Sequence, residues 1–290
     1  MLWLGVLLFS TGPVMVAASS TPGAVLSFWR LWVGAALLGG LLLWRRRAGM
    51  VTSPQGWRWS AVAGLAFGTH QLLFMLAINA TSVVDVTLMQ ALQPVMVGVL
   101  AAVMFGERPG TAFRLWSVVA VVGAVLVVLA GTSGPEGDPV GMALAIANVM
   151  FFTLYFVWSK RAMDHMDAVS FLFGVAVVAA VGVSVFAMVT TQPVGGITAV
   201  DLAIAVAIAV LPGGLGQFLS THPLDRVAAN IPPVMQLSIP FISGALAWLL
   251  LAERISWLHV VGGLITIAGV VGALLAGGAS TEDAPAAASD

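Results

Sequence analysis

Ten apolar segments, each long enough to cross a lipid bilayer as a helix, make up most of this chain of 290 residues. Each has about 17 to 23 residues, the length that a helix needs to span the hydrocarbon core. With 60% hydrophobic and 8% charged residues, the chain has too few polar groups to cover a water-soluble domain of this size. We therefore predict an all-α integral membrane protein with ten transmembrane helices. The predicted spans are Leu2 to Ala18, Gly23 to Trp44, Ser60 to Ile78, Val83 to Phe105, Phe113 to Ala130, Val140 to Ser159, Ala168 to Val189, Val200 to Leu219, Ile231 to Leu251 and Leu258 to Ala276.

Two stretches of the chain match each other. Residues 89–108 read MQALQPVMVGVLAAVMFGER, and residues 235–254, 146 positions later, read MQLSIPFISGALAWLLLAER. Eight of the twenty aligned positions are identical, including a Gln, a Pro and a terminal Glu-Arg. Apolar matches are common by chance in membrane proteins, so the polar and proline matches carry the inference. We infer an internal duplication.

The duplication divides the chain into two halves of five helices, residues 1–131 and 140–278. An outer loop, residues 132–139, connects them, and we expect residues 279–290 to be a disordered cytoplasmic tail. Because five is odd, the second half enters the membrane from the opposite side. We therefore predict two inverted repeats around a central cavity, an arrangement that recurs in secondary transporters.

The lysines and arginines predict the orientation. If the N-terminus is cytoplasmic, nine of eleven fall on the inner side, which is the bias expected of cytoplasmic loops. We expect a multi-pass protein of the cytoplasmic membrane with both termini in the cytoplasm. The first segment lacks the basic start of a signal peptide, so we expect it to be retained as a helix. The inner residues are Arg45, Arg46, Arg47, Arg58, Arg108, Arg114, Lys160, Arg161 and Arg226, and the outer ones are Arg30 and Arg254.

Prolines interrupt the fourth and ninth segments at matched positions. Pro94 and Pro240 cannot donate to the carbonyl four residues earlier, which leaves the carbonyls of Gln90 and Gln236 free. Interrupted helices at corresponding positions of two halves indicate a transporter's binding site. The alternative is that the glutamines only form hydrogen bonds between helices.

Further polar and aromatic residues are candidates for the same substrate site. Gln71 and Gln217 form a second matched pair, in the third and eighth segments. Asn148 and Tyr155 lie in the sixth segment, where aromatic packing is the alternative role for the tyrosine. Pro212-Gly213-Gly214 is expected to weaken the eighth helix at the same depth.

Arg30, Asp85 and His70 are the ionisable residues within predicted spans that we single out, because such residues require an explanation. Arg30 is a substrate-binding candidate, and we predict that it pairs with Asp85. Asp85 and His70 are candidates for coupling transport to protons, since both can titrate. The alternatives are that Arg30 reaches the outer headgroups, that Asp85 caps its helix in water and that His70 is a packing residue.

The sequence resembles the EamA-like members of the drug/metabolite transporter superfamily. The resemblance covers the whole chain and rests on the arginine-bearing SFWRLWVGAALL and on ATSVVDVTLMQALQPVMVGVLAAVMFGERP, with its proline followed thirteen residues later by glutamate. It implies ten helices with inverted repeats around a cavity lined by helices one, three, four, six, eight and nine. It also implies export of small metabolites or drugs without ATP. Asp85 departs from the small or apolar residue usual at its position.

We therefore predict a secondary-active or facilitative transporter that exports small amphipathic metabolites, such as amino acids, by alternating access. Its partners would be a small-molecule substrate, the lipid bilayer and the proton as a candidate coupling ion, and no nucleic acid. One alternative is a multidrug or lipophilic-cation exporter of the same fold, and another is a membrane-embedded enzyme or binding protein. Because no catalytic, phosphate-binding or metal-binding motif is present, we expect no enzymatic activity, no cofactor and no metal.

Overall fold

The structure, a computed structural model, describes residues 2–45, 52–105, 110–133, 138–216, 219 and 236–282. All regular elements among these residues are helical, as predicted. The helices are α1 (Leu2–Ala18), α2 (Gly23–Arg45), α3 (Pro54–Ala80), α4 (Val83–Gln90), α5 (Gln93–Phe105), α6 (Thr111–Ser133), α7 (Pro139–Met163), α8 (Ala168–Val189), α9 (Ala199–Val210), α10 (Ile239–Leu251) and α11 (Trp257–Glu282).

The helices are apolar enough for a membrane protein. Eight stretches of the described residues have the length and hydropathy to cross a bilayer, and two shorter apolar helices, Trp3–Ala18 and Ile239–Leu251, accompany them. A count of ten crossings therefore stays a prediction. At the C-terminus α11 runs to Glu282, and residues 283–290 lie outside the described part. A disordered tail from residue 279 stays a prediction.

The fourth predicted span is two helices rather than one. α4 ends at Gln90, Ala91 and Leu92 form a turn, and α5 begins at Gln93. Pro94 causes the break because its nitrogen has no hydrogen to donate to the Gln90 carbonyl. The predicted interruption at this proline is confirmed.

The second half shows the same break at the same offset. Gln236 is helical, residues 237 and 238 form a turn, and α10 begins at Ile239 with Pro240 in its first turn. α5 and α10 each contain 13 residues and occupy equivalent positions of the duplication. The eighth predicted span is also irregular, because α9 ends at Val210 and passes into a π-helical segment, Leu211–Gly216.

Small residues hold α6 against α11. A Cβ added to Gly123 would lie against the Thr266 backbone nitrogen, and one added to Gly262 would lie 2.9 Å from the Gly123 carbonyl oxygen. The opposite face of α6 exposes Val118, Val122 and Val125. Small residues inside and branched apolar residues outside are the pattern of helices that pack within lipid.

The largest apolar core lies at one end of the bundle. Its buried residues come from the C-terminal parts of α1, α3 and α6 and from the N-terminal parts of α2, α4 and α7. Ile208 of α9 and Ala247 of α10 complete it. This is the end where the α1–α2 and α3–α4 turns meet, and it corresponds to the predicted outer side.

Candidate functional site

Polar side chains of α3, α4 and α7 meet in the interior. Asn148 of α7 is fully buried, and its Nδ2 lies 2.8 Å from both the backbone carbonyl oxygen and the ring Nδ1 of His70 on α3. Gln90, the last residue of α4, donates from Nε2 to Asn148 Oδ1 over 3.4 Å. We call His70, Gln90 and Asn148 the polar cluster.

The contacts of Asn148 define the state of the histidine ring. A carbonyl oxygen can only accept, so the Asn148 Nδ2 must face the His70 carbonyl. The same amide lies 2.8 Å from His70 Nδ1, whereas the Asn148 backbone carbonyl oxygen lies 3.4 Å from it, so the shorter contact indicates an Nδ1 that accepts and carries no hydrogen. A neutral ring therefore has its hydrogen on Nε2.

Aromatic rings cover one side of the cluster. The His70 ring stacks on Phe152, with centroids 4.1 Å apart and planes at 11°. Phe67 lies 5.7 Å from His70 and 5.0 Å from Tyr155, whose ring is nearly parallel to that of Phe152. Apolar ring faces thus lie next to hydrogen-bonding groups, which suits an amphipathic ligand.

Gln71 follows His70 on α3 and has an unsatisfied amide. The residue is 2% exposed, and its Nε2 has no hydrogen-bond partner among the described residues. Its backbone carbonyl accepts a hydrogen bond of 3.3 Å from Ser27 Oγ of α2. An unpaired buried donor costs about 1 to 3 kcal/mol, so such a group requires an explanation, and a bound ligand is one.

The predicted pair of Arg30 with Asp85 is wrong. Asp85 Oδ1 lies 2.9 Å from Nε2 of His259, in the first part of α11, and its Oδ2 accepts from Thr81 and Ser82 at 2.8 Å each. Asp85 is also 2% exposed, so it does not cap α4 in water. Asp85 does not need Arg30, because α11 and the α3–α4 turn already supply donors to its carboxylate.

His259 and Glu253 are functional candidates that sequence reasoning did not assign to this place. Nδ1 of His259 lies 2.8 Å from Ser256 Oγ. The Glu253 carboxylate, between α10 and α11, accepts from the Val83 backbone nitrogen at 3.0 and 3.1 Å. The second half therefore caps the N-terminus of α4 in the first half.

A second buried carboxylate, Asp201 of α9, was also missed. It is 2% exposed and accepts hydrogen bonds of 2.8 to 3.2 Å from the Ser19 and Thr21 hydroxyls and from the Ser20 hydroxyl and backbone nitrogen. The Thr198 hydroxyl donates to it as well, over 3.0 Å. These contacts fasten the α1–α2 turn to α9.

The remaining predicted site residues fall in different places. Pro94 is the second residue of α5, four residues after Gln90, and Pro240 is buried at the start of α10. Gln236 is exposed, so it is not buried with Gln71 and Gln90. Gln217 lies outside the described residues. A site formed by all four glutamines stays a prediction.

Comparisons with known proteins agree with this architecture. The profile of the EamA-like transporter family matches residues 1–129 and, a second time, residues 139–275. A solved crystal structure of another protein matches with a TM-score of 0.63 over 94% of this chain and 95% of that one, at 19% identity, which shows a shared fold. No curated protein matches. Since the two profile matches cover nearly the whole chain, this protein belongs to the EamA-like transporter family, within the drug/metabolite transporter superfamily.

Proposed function

We propose that this membrane transporter is a secondary-active or facilitative exporter of small amphipathic metabolites such as amino acids. The observation that carries the proposal is the polar cluster, which lies beside the α4–α5 break with the unsatisfied amide of Gln71 next to it. Polar groups are costly inside a membrane bundle and are retained where a solute must be bound. The neighbouring aromatic rings supply the apolar part of the site.

Alternating access would come from two inverted five-helix halves. In the duplication α1 corresponds to α7, and α10 corresponds to the span formed by α4 and α5. A two-fold symmetric arrangement that has α1 against α10 must therefore also have α7 against α4 and α5, and both contacts are present. The pairs α2 with α8 and α6 with α11 each map onto themselves and are present too. This exchange symmetry supports a pseudo-two-fold axis, about which the halves would rock around the site in the cytoplasmic membrane.

Proton coupling would use residues that can titrate within the bundle. Asp85 with His259 connects α4 to α11 at the outer end, and His70 lies in the polar cluster. A coupled exporter requires that protonation favour one arrangement of the halves. Accumulation that depends on a pH gradient in wild type and is lost in Asp85→Asn or His70→Gln would identify the coupling group.

A multidrug exporter of lipophilic cations is the alternative. The aromatic wall around His70 favours it, but Arg30, which lies within electrostatic range of His70, would repel a cation there. A membrane-embedded enzyme or a pure binding protein would not move solute into vesicles at all.

The test is uptake of labelled amino acids and lipophilic cations into proteoliposomes, with and without a pH gradient. We expect wild-type protein to move an amino acid faster than empty liposomes, and the double variant Gln71→Ala/Gln90→Ala to lose that movement. Gln55→Ala is the matched control, because this glutamine is exposed at the start of the same α3 helix. If the double variant transports as well as the control, the proposed site is wrong.

A further inference from the structure

The distribution of charge singles out Arg30. The two buried carboxylates of the outer end, Asp85 and Asp201, are fully supplied with donors from His259 and from serine and threonine side chains. Arg30 lies on α2, within a predicted span, and makes no ion pair or hydrogen bond within the described part of the chain. A guanidinium that is half-buried in the bundle and lacks an anion is costly unless a ligand provides one.

Helix geometry places Arg30 and Gln71 at neighbouring levels of α2 and α3. Gly23 packs on Met75 and Ser27 bonds to the Gln71 carbonyl, so α2 and α3 run antiparallel at this place. Arg30 is one turn beyond Ser27. Side chains lean toward the N-terminus of their helix, so on antiparallel helices the Arg30 and Gln71 side chains lean into the same layer.

The π-helical segment approaches the guanidinium at a glycine. A Cβ built on Gly213 would lie 3.9 Å from Arg30 Nη2, so the backbone of this segment lies beside the arginine with no side chain between them. Arg30 also lies within electrostatic range of the His70 ring. Since Nδ1 of His70 accepts from Asn148, the Nε2–H of the neutral ring is a further donor.

We propose that Arg30 and Gln71 form a subsite for the carboxylate of the transported solute. The guanidinium of Arg30 and the unsatisfied Nε2 of Gln71 are donors, so they match an anionic oxygen pair better than a cation. A guanidinium binds a carboxylate through two parallel hydrogen bonds, and the Gln71 Nε2 would complete the coordination of the same group. The inference rests on the proposed transport function and names the group that the site recognises.

The test measures binding with ligand pairs that differ only at the carboxylate. Purified protein in a maltoside detergent, which contains no phosphate, is titrated with L-leucine and L-leucinamide and with 4-methylpentanoate and 4-methylpentanamide. Tryptophan fluorescence is the readout, because Trp29 flanks Arg30 on α2. We expect the carboxylates to bind and the amides to bind at least about tenfold more weakly.

Variants assign the preference to the two residues. Arg30→Gln should weaken carboxylate binding by roughly 10- to 100-fold, and Gln71→Leu should weaken it by a smaller factor. Arg30→Lys should fall between wild type and Arg30→Gln, because it keeps the charge but not the two-pronged geometry. Arg45→Gln is the matched control, since Arg45 is exposed at the other end of the same helix and should bind as wild type.

Three results would overturn the subsite: no binding by either carboxylate, equal binding by carboxylate and amide, or unchanged carboxylate binding in Arg30→Gln. Inorganic phosphate and phosphatidylglycerol are the probes for a lipid headgroup, and Arg30-dependent binding of these without the carboxylates would also refute it. Transport failure with intact carboxylate binding would remove the exporter proposal alone. Transport of solutes with no preference for a carboxylate over the matching amide would refute the carboxylate subsite but not the exporter proposal.

Discussion

Buried carboxylates in this protein are stabilised chiefly by hydroxyl groups. Asp201 receives its hydrogen bonds from the α1–α2 turn and from Thr198, which caps the same helix. Asp85 receives two hydroxyl donors and the ring of His259. Within an apolar bundle a carboxylate without such donors would be very unfavourable, so each acid also positions the elements that supply its donors.

The Asp85–His259 contact should appear as energetic coupling in a double-mutant cycle. Asp85→Ala and His259→Ala should each lower the free energy of unfolding in detergent, and the double variant should lose less than the two losses combined. We expect a coupling of about 1 to 3 kcal/mol, because each single change leaves a buried polar group without its partner. His165→Ala, in the α7–α8 turn, is the control for replacing a histidine. Strictly additive losses would show that the contact contributes nothing.

The sequence identifies a residue of the polar cluster as a site candidate where the two halves repeat or where a polar residue interrupts an apolar run. Gln90 belongs to a repeated pair and Asn148 interrupts an apolar run, and the two are hydrogen-bonded to each other. The partner of Asp85 was not predictable, because His259 is 174 residues away and has no counterpart in the repeat. A local signal did exist, since Ser82 and Asp85 have the Ser/Thr-x-x-acid spacing of a helix start, and so do Thr198 and Asp201.

Helix boundaries were predictable where the helix ends at the same residue as the apolar run. α1 and α8 have the predicted bounds, because serines end the apolar run of α1, and Asp167 and Thr190 bound the apolar run of α8. α3 begins at Pro54 instead of Ser60, since Ser53 caps it and a proline is favourable in the first turn. Hydropathy does not detect this polar first turn, because a cap and a proline make it helical and its residues are not apolar.

The α6–α11 contact should not accept a larger residue at its glycines. Gly123→Ala would place a methyl group 2.7 Å from the Gly262 carbonyl oxygen and against the Thr266 backbone, so the helices would have to separate. Overpacking of this kind costs about 1 to 3 kcal/mol. Gly182→Ala on α8 is the matched control, because its Cβ would meet nothing within 4 Å. Thermal unfolding in detergent measures both, and equal midpoints would contradict the close packing.

We expect acid to lower the stability of the protein, because Asp167, the N-cap of α8, has a lowered pKa. Burial raises the pKa of Asp167, but hydrogen bonds from the Ser170 side chain and the backbone nitrogens of Ser170 and Val169 outweigh it, and the pKa lies below its ordinary value. A lowered folded pKa stabilises the protein above the ordinary carboxyl value of about 3.9, and the stabilisation is lost as pH falls through the folded pKa.

Asp167→Asn tests this element directly, because asparagine also caps helices but does not titrate. The difference in unfolding midpoint between wild type and variant should be largest near neutral pH and should vanish in acid. Ser170→Ala should reduce the difference by removing the hydroxyl donor. If the difference in unfolding midpoint between wild type and Asp167→Asn does not change with pH, the charge of Asp167 does not contribute to the cap and the prediction is wrong.

At the scale of the whole molecule, the duplication predicts more than either half does alone. The breaks before Pro94 and Pro240 lie at equivalent positions, and α5 and α10 have equal lengths, so the same sequence signal produces the same local structure twice. Contacts between the halves were less predictable. They depend on hydroxyl-rich turns, such as Ser19 to Thr21 against Asp201, whose short polar sequences resemble any loop.

Opposite membrane orientation of the two halves is the whole-molecule prediction, and the chain is suited to test it because it contains no cysteine. Residue 52 lies just before α3, and residue 195 lies shortly before α9, the equivalent helix of the second half. With inverted halves, an impermeant maleimide should modify Gly195→Cys in right-side-out vesicles and Thr52→Cys only in inside-out vesicles. Asp164→Cys, between α7 and α8, should follow residue 52, because four crossings separate them in the predicted topology. Labelling of residues 52 and 195 from the same side would mean an even number of crossings between them, and two halves of parallel orientation could not rock as proposed.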